Sequence, residues 1–223
     1  MNFLIQNARW LIATASLYFC SCFGQTFFIS LFAGEIRQTF DLSHGDWGFI
    51  YSGGTLASAI AMLIFGGYID KYKITLNIKI VIISLSLLCL SMTFVSIVWL
   101  LPFIIFGLRF FGQGMLTHIP AVAIGKWYGK NKGKALSISI MGFSIGEAIF
   151  PIIFVSLFAI IGWRNSWIIG MIILLLILPI ILNLLSNERT PNSKQENITN
   201  QLGMNDKHWT RKEVLNNWVF WAV

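Results

Sequence analysis

Two ionisable side chains stand alone inside long apolar stretches, and their chemical types suggest what they could do. Arg109 is the one charged residue among residues 80–125, and Glu147 is the one charged residue among residues 135–163. A guanidinium keeps its charge at ordinary pH, and its planar fork fits a carboxylate through two hydrogen bonds. A carboxyl held in apolar surroundings can take up and release a proton near neutral pH. The pair therefore predicts anion binding at Arg109 and proton coupling at Glu147.

Both side chains also have a structural interpretation, which the sequence alone leaves open. Arg109 could instead bond to backbone carbonyls or to Gln113, its neighbour one helical turn along. Helical rise puts Arg109 about 12 Å and Glu147 about 22 Å from the external ends of their helices. That offset disfavours a direct ion pair between them. For Glu147 we prefer the functional interpretation, because an uncharged residue could have filled a structural role.

A few further polar residues could line a cavity with Arg109. Tyr18 and Gln25 lie on one stripe of the first apolar stretch, and with Gln113 they are predicted substrate contacts. His118 lies nine residues after Arg109, which puts it on the opposite face of an α-helix and predicts a packed or interfacial role. The sequence has no phosphate-binding loop, HExxH motif or nucleophile elbow. We therefore expect a protein that is not an enzyme and that needs no cofactor or metal.

The elements that hold these residues are long apolar helices. The chain of 223 residues is 56% hydrophobic and 11% charged, whereas a soluble domain carries about 25% charged residues. Residues 10–34, 47–69 and 165–187 have no charge at all, and each exceeds the ~20 residues that cross a bilayer. Two more crossings fit within residues 80–125, divided near Trp99–Pro102, and one fits within residues 135–163. The sequence thus predicts an all-α membrane protein with six transmembrane helices.

The basic residues are distributed unevenly along this pattern. With the N-terminus in the cytoplasm, thirteen of the sixteen Lys and Arg residues lie on the cytoplasmic side, while Arg37 and Arg164 lie outside and Arg109 lies at depth. This distribution follows the positive-inside rule for a plasma (inner) membrane protein. The net charge of +7 therefore indicates topology and contact with membrane lipids. A nucleic-acid partner is not needed to explain it.

Composition divides the chain into three parts. Residues 1–187 form the predicted six-helix bundle, residues 188–213 are a polar cytoplasmic linker, and residues 214–223 turn apolar like the start of a truncated seventh helix. Predicted helices 2, 4 and 5 are rich in glycine, which lets helix backbones approach closely in a membrane. Helices 3 and 6 are uniformly apolar and are expected to face lipid.

Several motifs carry a family resemblance over essentially the whole chain. Gly66-Gly-Tyr-Ile-Asp70-Lys71 resembles the major facilitator superfamily signature G-x-x-x-D-(R/K)-x-G-(R/K)-(R/K), although Lys73 stands where the second glycine belongs. Arg109-x-x-Gly112-x-Gly114 resembles the superfamily's motif in helix 4. The segment from Lys126 to Ser137 and the sequence Gly162-Trp-Arg164 resemble the monocarboxylate and oxalate/formate antiporter branches.

The resemblance implies one half of a twelve-helix secondary transporter, with the N-terminal half represented here. It implies transport of a small organic anion such as a monocarboxylate by alternating access, either proton-coupled or as antiport. Gly66, Asp70 and Lys71 would form a gating motif at the inner face, where Asp70 meets the other half. The expected partners are the substrate, lipids, and the missing second half or a second copy of the chain. Two alternatives stay open, namely a truncated half without transport activity and a half that works only as a homodimer.

Overall fold

The computed structural model describes residues 2–187, residue 189 and residues 211–219, with Asn2, Asp70, Arg211 and Lys212 described by their backbone alone. Most of the predicted linker, residues 188–213, and residues 220–223 of the predicted seventh helix lie outside the described residues. The α-helices are α1 (Asn2–Ser21), α2 (Thr26–Leu31), α3 (Ala33–Phe40), α4 (His44–Phe65), α5 (Ile74–Phe94), α6 (Leu101–Gly107), α7 (Leu116–Tyr128), α8 (Lys132–Ile161), α9 (Trp163–Leu184) and α10 (Arg211–Leu215).

Hydropathy and helix length together give six crossings. Within the part of the chain that the structure describes, five segments are long and apolar enough to cross a membrane, and the longest, Val98–Ile161, has 64 residues. At 1.5 Å per residue that segment would extend about 96 Å, roughly three times the thickness of the hydrocarbon. Gly129 interrupts it with a φ of 41°, and α7 and α8 pack against each other on either side of this turn. The predicted all-α membrane fold is confirmed, with six helical runs of spanning length.

Two of the six runs are irregular, which hydropathy did not predict. Span 1 consists of α1, a 3₁₀ turn at Cys22–Gly24, an extended residue at Gln25 and then α2. Span 4 consists of α6, a π-helical segment at Leu108–Met115 and then α7. The two irregularities meet at a glycine pair, since a Cβ on Gly112 would lie 2.5 Å from the Cα atom of Gly24. Backbone contact this close requires glycine on both sides.

Span 1 also packs closely along α8, as the glycine pattern predicted. A Cβ on Gly142 would lie 1.9 Å from the carbonyl oxygen of Ala15. Near this contact the Thr14 and Ser139 hydroxyls share a buried hydrogen bond of 2.7 Å. In contrast, Gly53 and Gly67, which were also predicted to pack closely, have open space where a Cβ would be. The α5 and α9 helices, which were expected to face lipid, pack along each other.

The helix ends explain where the predicted loops are. The predicted external loop contains α3, and α4 begins with a capping box in which the Ser43 hydroxyl accepts from the Asp46 amide at 3.1 Å. The turn before α9 places Arg164 beside the end of α5, where its Nη1 donates to the carbonyls of Thr93 at 3.1 Å and Val95 at 2.5 Å. These contacts satisfy carbonyls that the helix end leaves without partners.

Candidate functional site

A polar cavity lies between α1, α4 and span 4. Its volume is about 550 Å³, which is within the range typical of small-molecule sites. Three different elements bring polar side chains to it, and these side chains include Tyr18 of α1, Thr55 and Ser58 of α4, and Arg109, Gln113 and His118 of span 4. None of the described residues that line the cavity is acidic. The cavity therefore combines one permanent positive charge with neutral polar groups.

The Arg109 guanidinium is held where the two irregular spans meet. Its side chain is 7% exposed, and its Nη1 donates to the Thr26 hydroxyl at 2.9 Å and to the Gly24 carbonyl at 3.4 Å. The guanidinium also lies over the Tyr51 ring at 5.6 Å, and the Tyr51 hydroxyl donates to Thr26 at 3.0 Å. The break in span 1 leaves the Gly24 carbonyl free to accept from Arg109. The positive charge is therefore anchored by neutral groups, namely this carbonyl, the Thr26 hydroxyl and the Tyr51 ring.

Polar atoms without a protein partner concentrate at this cavity. Within the described part of the chain, five buried side-chain nitrogen or oxygen atoms have no hydrogen-bond partner from the protein. Three of them, Arg109 Nε, Gln113 Oε1 and Thr55 Oγ1, belong to residues that line the cavity. Each buried polar atom left unpaired costs about 1–3 kcal/mol. These three atoms are themselves buried, so they mark a polar region of the cavity wall that the protein leaves incompletely hydrogen-bonded.

The structure brings together some of the predicted site residues and separates others. Tyr18, Arg109 and Gln113 all line the cavity, as expected from the sequence. Gln25 lies at the break in span 1, where it precedes α2, and it is not a lining residue. Glu147 lies on an exposed face of α8, outside the cavity. The predicted roles of Gln25 and Glu147 in binding and proton coupling stay predictions.

The predicted face of His118 is wrong, and the π-helical segment explains why, whereas its predicted packed or interfacial role stays a prediction. His118 lines the cavity with Arg109, whereas nine residues of regular α-helix would put the two on opposite faces. One extra residue in a π turn sets the helical phase back by about 100°, which leaves the two about 80° apart. In the sequence, Gly112 and Gly114 after Arg109 are interpreted through close helix packing and the family motif, and neither interpretation predicts a π-helical segment. Thr55 and Ser58 on α4 were missed as well.

The predicted gating motif forms a turn at the end of α4. Residues Gly66–Lys71 form a 3₁₀ helix. The side-chain amide of Asn77 in α5 donates to the Ile69 carbonyl of this 3₁₀ helix at 3.1 Å and so holds it to α5. Lys71 is exposed, and its Nζ lies 4.5 Å from the centre of the Tyr68 ring. The structure describes only the backbone of Asp70. The motif is thus positioned next to one end of the cavity, because a Cβ on Gly66 would lie 3.8 Å from His118 Nε2.

A membrane bundle with two irregular helices that meet at a buried cation beside a polar cavity has the character of a solute transporter. The family model of the Major Facilitator Superfamily matches residues 14–223 of the chain. The chain therefore belongs to the major facilitator superfamily, whose members are secondary transporters and not enzymes. None of the curated proteins compared with the chain matches it significantly.

Proposed function

We propose that this chain serves the transport of a small organic anion, such as a monocarboxylate, and that Arg109 binds the carboxylate. The observation that carries the proposal is the Arg109 guanidinium, which is the one permanent charge among the described residues that line the cavity. A carboxylate would accept from the guanidinium, and no acidic residue among the described lining would repel it. Gln113 and Tyr18 would contact the rest of the solute. This assignment agrees with the resemblance to the monocarboxylate and oxalate/formate branches.

Four further residues complete the proposed transport cycle. Gly66, Asp70 and Lys71 would gate the inner face, with the basic loops in the cytoplasm of an inner-membrane protein. The uneven charge of the loops supports this orientation. Glu147 would carry a proton from its exposed position on α8, because a carboxyl at membrane depth is costly unless it faces water or a partner.

The proposed partner is a second six-helix unit, supplied either by another half or by a second copy of the chain. Large apolar side chains on the outer face of α4 support this, with Leu56 64% and Ile64 60% exposed. The α4 segment is also only 11% buried inside the bundle, the lowest share of the five candidate spans. The oligomeric state in detergent, compared with and without the downstream coding region, separates a homodimer from a complex of two different halves.

The test of anion binding is substitution of Arg109. Binding of radiolabelled lactate, pyruvate and oxalate to the purified chain is measured for wild type, Arg109→Gln and Arg109→Lys. Removing a charged hydrogen-bond donor costs about 1.5–3 kcal/mol, so Arg109→Gln is expected to weaken binding by roughly tenfold or more. The Arg109→Lys variant, which keeps the charge and loses the fork, is expected to be intermediate.

Arg37→Gln is the matched control for these variants. Arg37 lies in α3, away from the cavity, and removing its charge changes the net charge by the same amount. It is expected to bind like wild type, and all variants must insert into the membrane equally well. Equal binding by Arg109→Gln and wild type would refute the role of Arg109 as the anion contact.

A further inference from the structure

We infer that His118 is a proton-binding residue of the anion site, so that the cavity takes up an anion and a proton together. This inference rests on the proposed function, since it concerns the pH dependence of anion binding in the same cavity. Sequence position alone favoured a packed or interfacial role for His118, because nine residues of regular α-helix would place it on the face opposite Arg109. The π-helical segment Leu108–Met115 turns His118 towards the cavity instead.

The ionisable groups around His118 leave it without an acidic partner in the cavity. Its lining contains two other ionisable side chains, Tyr18 and Arg109. Besides Arg109, the charged residues on α7 and on the elements packed around it are Arg9 of α1, Lys79 of α5, Lys126 of α7, Lys130 of the turn after α7, Lys132, Lys134 and Glu147 of α8, and Asp70 and Lys71 of the 3₁₀ turn. Arg9 is half-buried, the structure does not describe the side chain of Asp70, and the others are exposed. A protonated His118 would therefore add positive charge to a cavity whose described lining holds no negative charge.

Histidine is the side chain suited to this task, because imidazole changes charge between pH 5 and pH 8. His118 is nine residues from Arg109, or about 13 Å along the helix axis. An anion bound at Arg109 would therefore lie about 13 Å from His118. At that distance, and with an effective dielectric constant of about 20, a positive charge on His118 strengthens the binding of the anion by about tenfold. The same coupling runs in reverse, so a bound anion favours protonation of His118. Anion and proton would then bind cooperatively without touching each other.

His118 also lies at the junction with the predicted gate. A Cβ on Gly66, the first residue of the 3₁₀ turn, would lie 3.8 Å from His118 Nε2. Glu147, in contrast, lies outside the cavity and shares none of its lining. Among the described residues that line the cavity, His118 is therefore the group placed to sense both the anion and the turn that carries Asp70 and Lys71.

The test measures carboxylate affinity against pH for the full chain in detergent. Radiolabelled lactate, pyruvate and oxalate serve as probes, because their carboxylates stay largely ionised between about pH 5 and about pH 8. As the pH rises from about 5 to about 8, wild type is expected to lose about tenfold in carboxylate affinity. The affinity of His118→Gln is expected to stay constant over the same range. The matched control is His44→Gln, since His44 is exposed at the start of α4, and it is expected to keep the wild-type profile.

The outcomes separate this inference from the proposed function. If wild type binds none of the three carboxylates at any pH, the proposed function fails and the inference fails with it. If wild type binds them and Arg109→Gln does not, the function stands. In that case, a flat wild-type profile, or a pH dependence that survives in His118→Gln, overturns the role of His118 alone. A pH dependence that is lost in Glu147→Gln but kept in His118→Gln would assign the proton to Glu147.

Discussion

The contact between Gly24 and Gly112 should be the least tolerant point of the cavity wall. A Cβ on Gly112 would lie 2.5 Å from the Cα atom and 2.7 Å from the nitrogen atom of Gly24. Carbon atoms in ordinary contact stay about 3.5–4.0 Å apart, so Gly112→Ala would push the two spans apart by about 1 Å. Both neighbours are backbone atoms and cannot rotate away. Overpacking of this kind costs about 1–3 kcal/mol.

The same displacement should weaken the anchoring of Arg109. Thr26 is two residues from Gly24, and its hydroxyl accepts from Arg109 Nη1 at 2.9 Å. A shift of about 1 Å would take that contact beyond the ~3.2 Å limit of a good hydrogen bond. Gly112→Ala is therefore expected to lower both the unfolding temperature in detergent and the affinity for carboxylates. The fall in unfolding temperature should be roughly 2–4 °C for each kcal/mol lost.

Gly125→Ala is the matched control, because Gly125 lies on the same span and has open space around its Cα atom. It should leave stability unchanged or raise it slightly, since alanine favours helix over glycine. A second control is the double variant Gly24→Ala with Gly112→Ala, whose cost should be less than the sum of the single costs because one separation relieves both clashes. Equal unfolding temperatures for Gly112→Ala and Gly125→Ala would refute the contact between the two spans.

Two further predictions concern the rest of the bundle. Arg164→Gln should lower the unfolding temperature, because it removes charge-assisted hydrogen bonds to the end of α5 that are worth about 1.5–3 kcal/mol. Arg37→Gln should leave the unfolding temperature unchanged, and equal unfolding temperatures for the two variants would contradict the role of Arg164 at the end of α5. Gly142→Ala should disrupt folding, because its Cβ would lie 1.9 Å from the Ala15 carbonyl oxygen. The measurement is the yield of monodisperse protein. Gly133 lies on the same helix and has open space where a Cβ would be, so Gly133→Ala should give a normal yield.

Local sequence properties predicted the class of the fold well. The cost of a charge in hydrocarbon depends on the residue and its immediate neighbours, so the apolar runs and the isolated Arg109 could be identified without knowing any contact. The turn before α6 could also be predicted from local sequence, since Pro102 lies in the first turn of that helix. Helix ends were less predictable, because charge indicates where the membrane ends and not where the helix does. For this reason α1 begins at Asn2 although the apolar run begins at residue 10.

The irregular backbone of spans 1 and 4 could not be predicted in the same way. A 3₁₀ break at Cys22–Gly24 and a π-helical segment at Leu108–Met115 are each unfavourable alone, and they become acceptable where they pack against each other. That contact joins residues more than eighty positions apart, so no window of sequence contains it. The error in the position of His118 follows directly, because helical phase was extrapolated through a segment that does not keep it.

The structural and the functional interpretations of Arg109 need not exclude each other. The break in span 1 frees the Gly24 carbonyl, which in apolar surroundings needs a donor, and Arg109 Nη1 supplies one together with its bond to Thr26. A guanidinium has five N–H donors, and its hydrogen bonds to the described residues use only Nη1, so anchoring leaves capacity for an anion. Lysine carries its three N–H donors on one nitrogen, so it can bond to span 1 but cannot present a second nitrogen to a carboxylate. Arg109→Lys is thus expected to fold like wild type while binding carboxylates less tightly, and full binding by that variant would mean that the fork is not used.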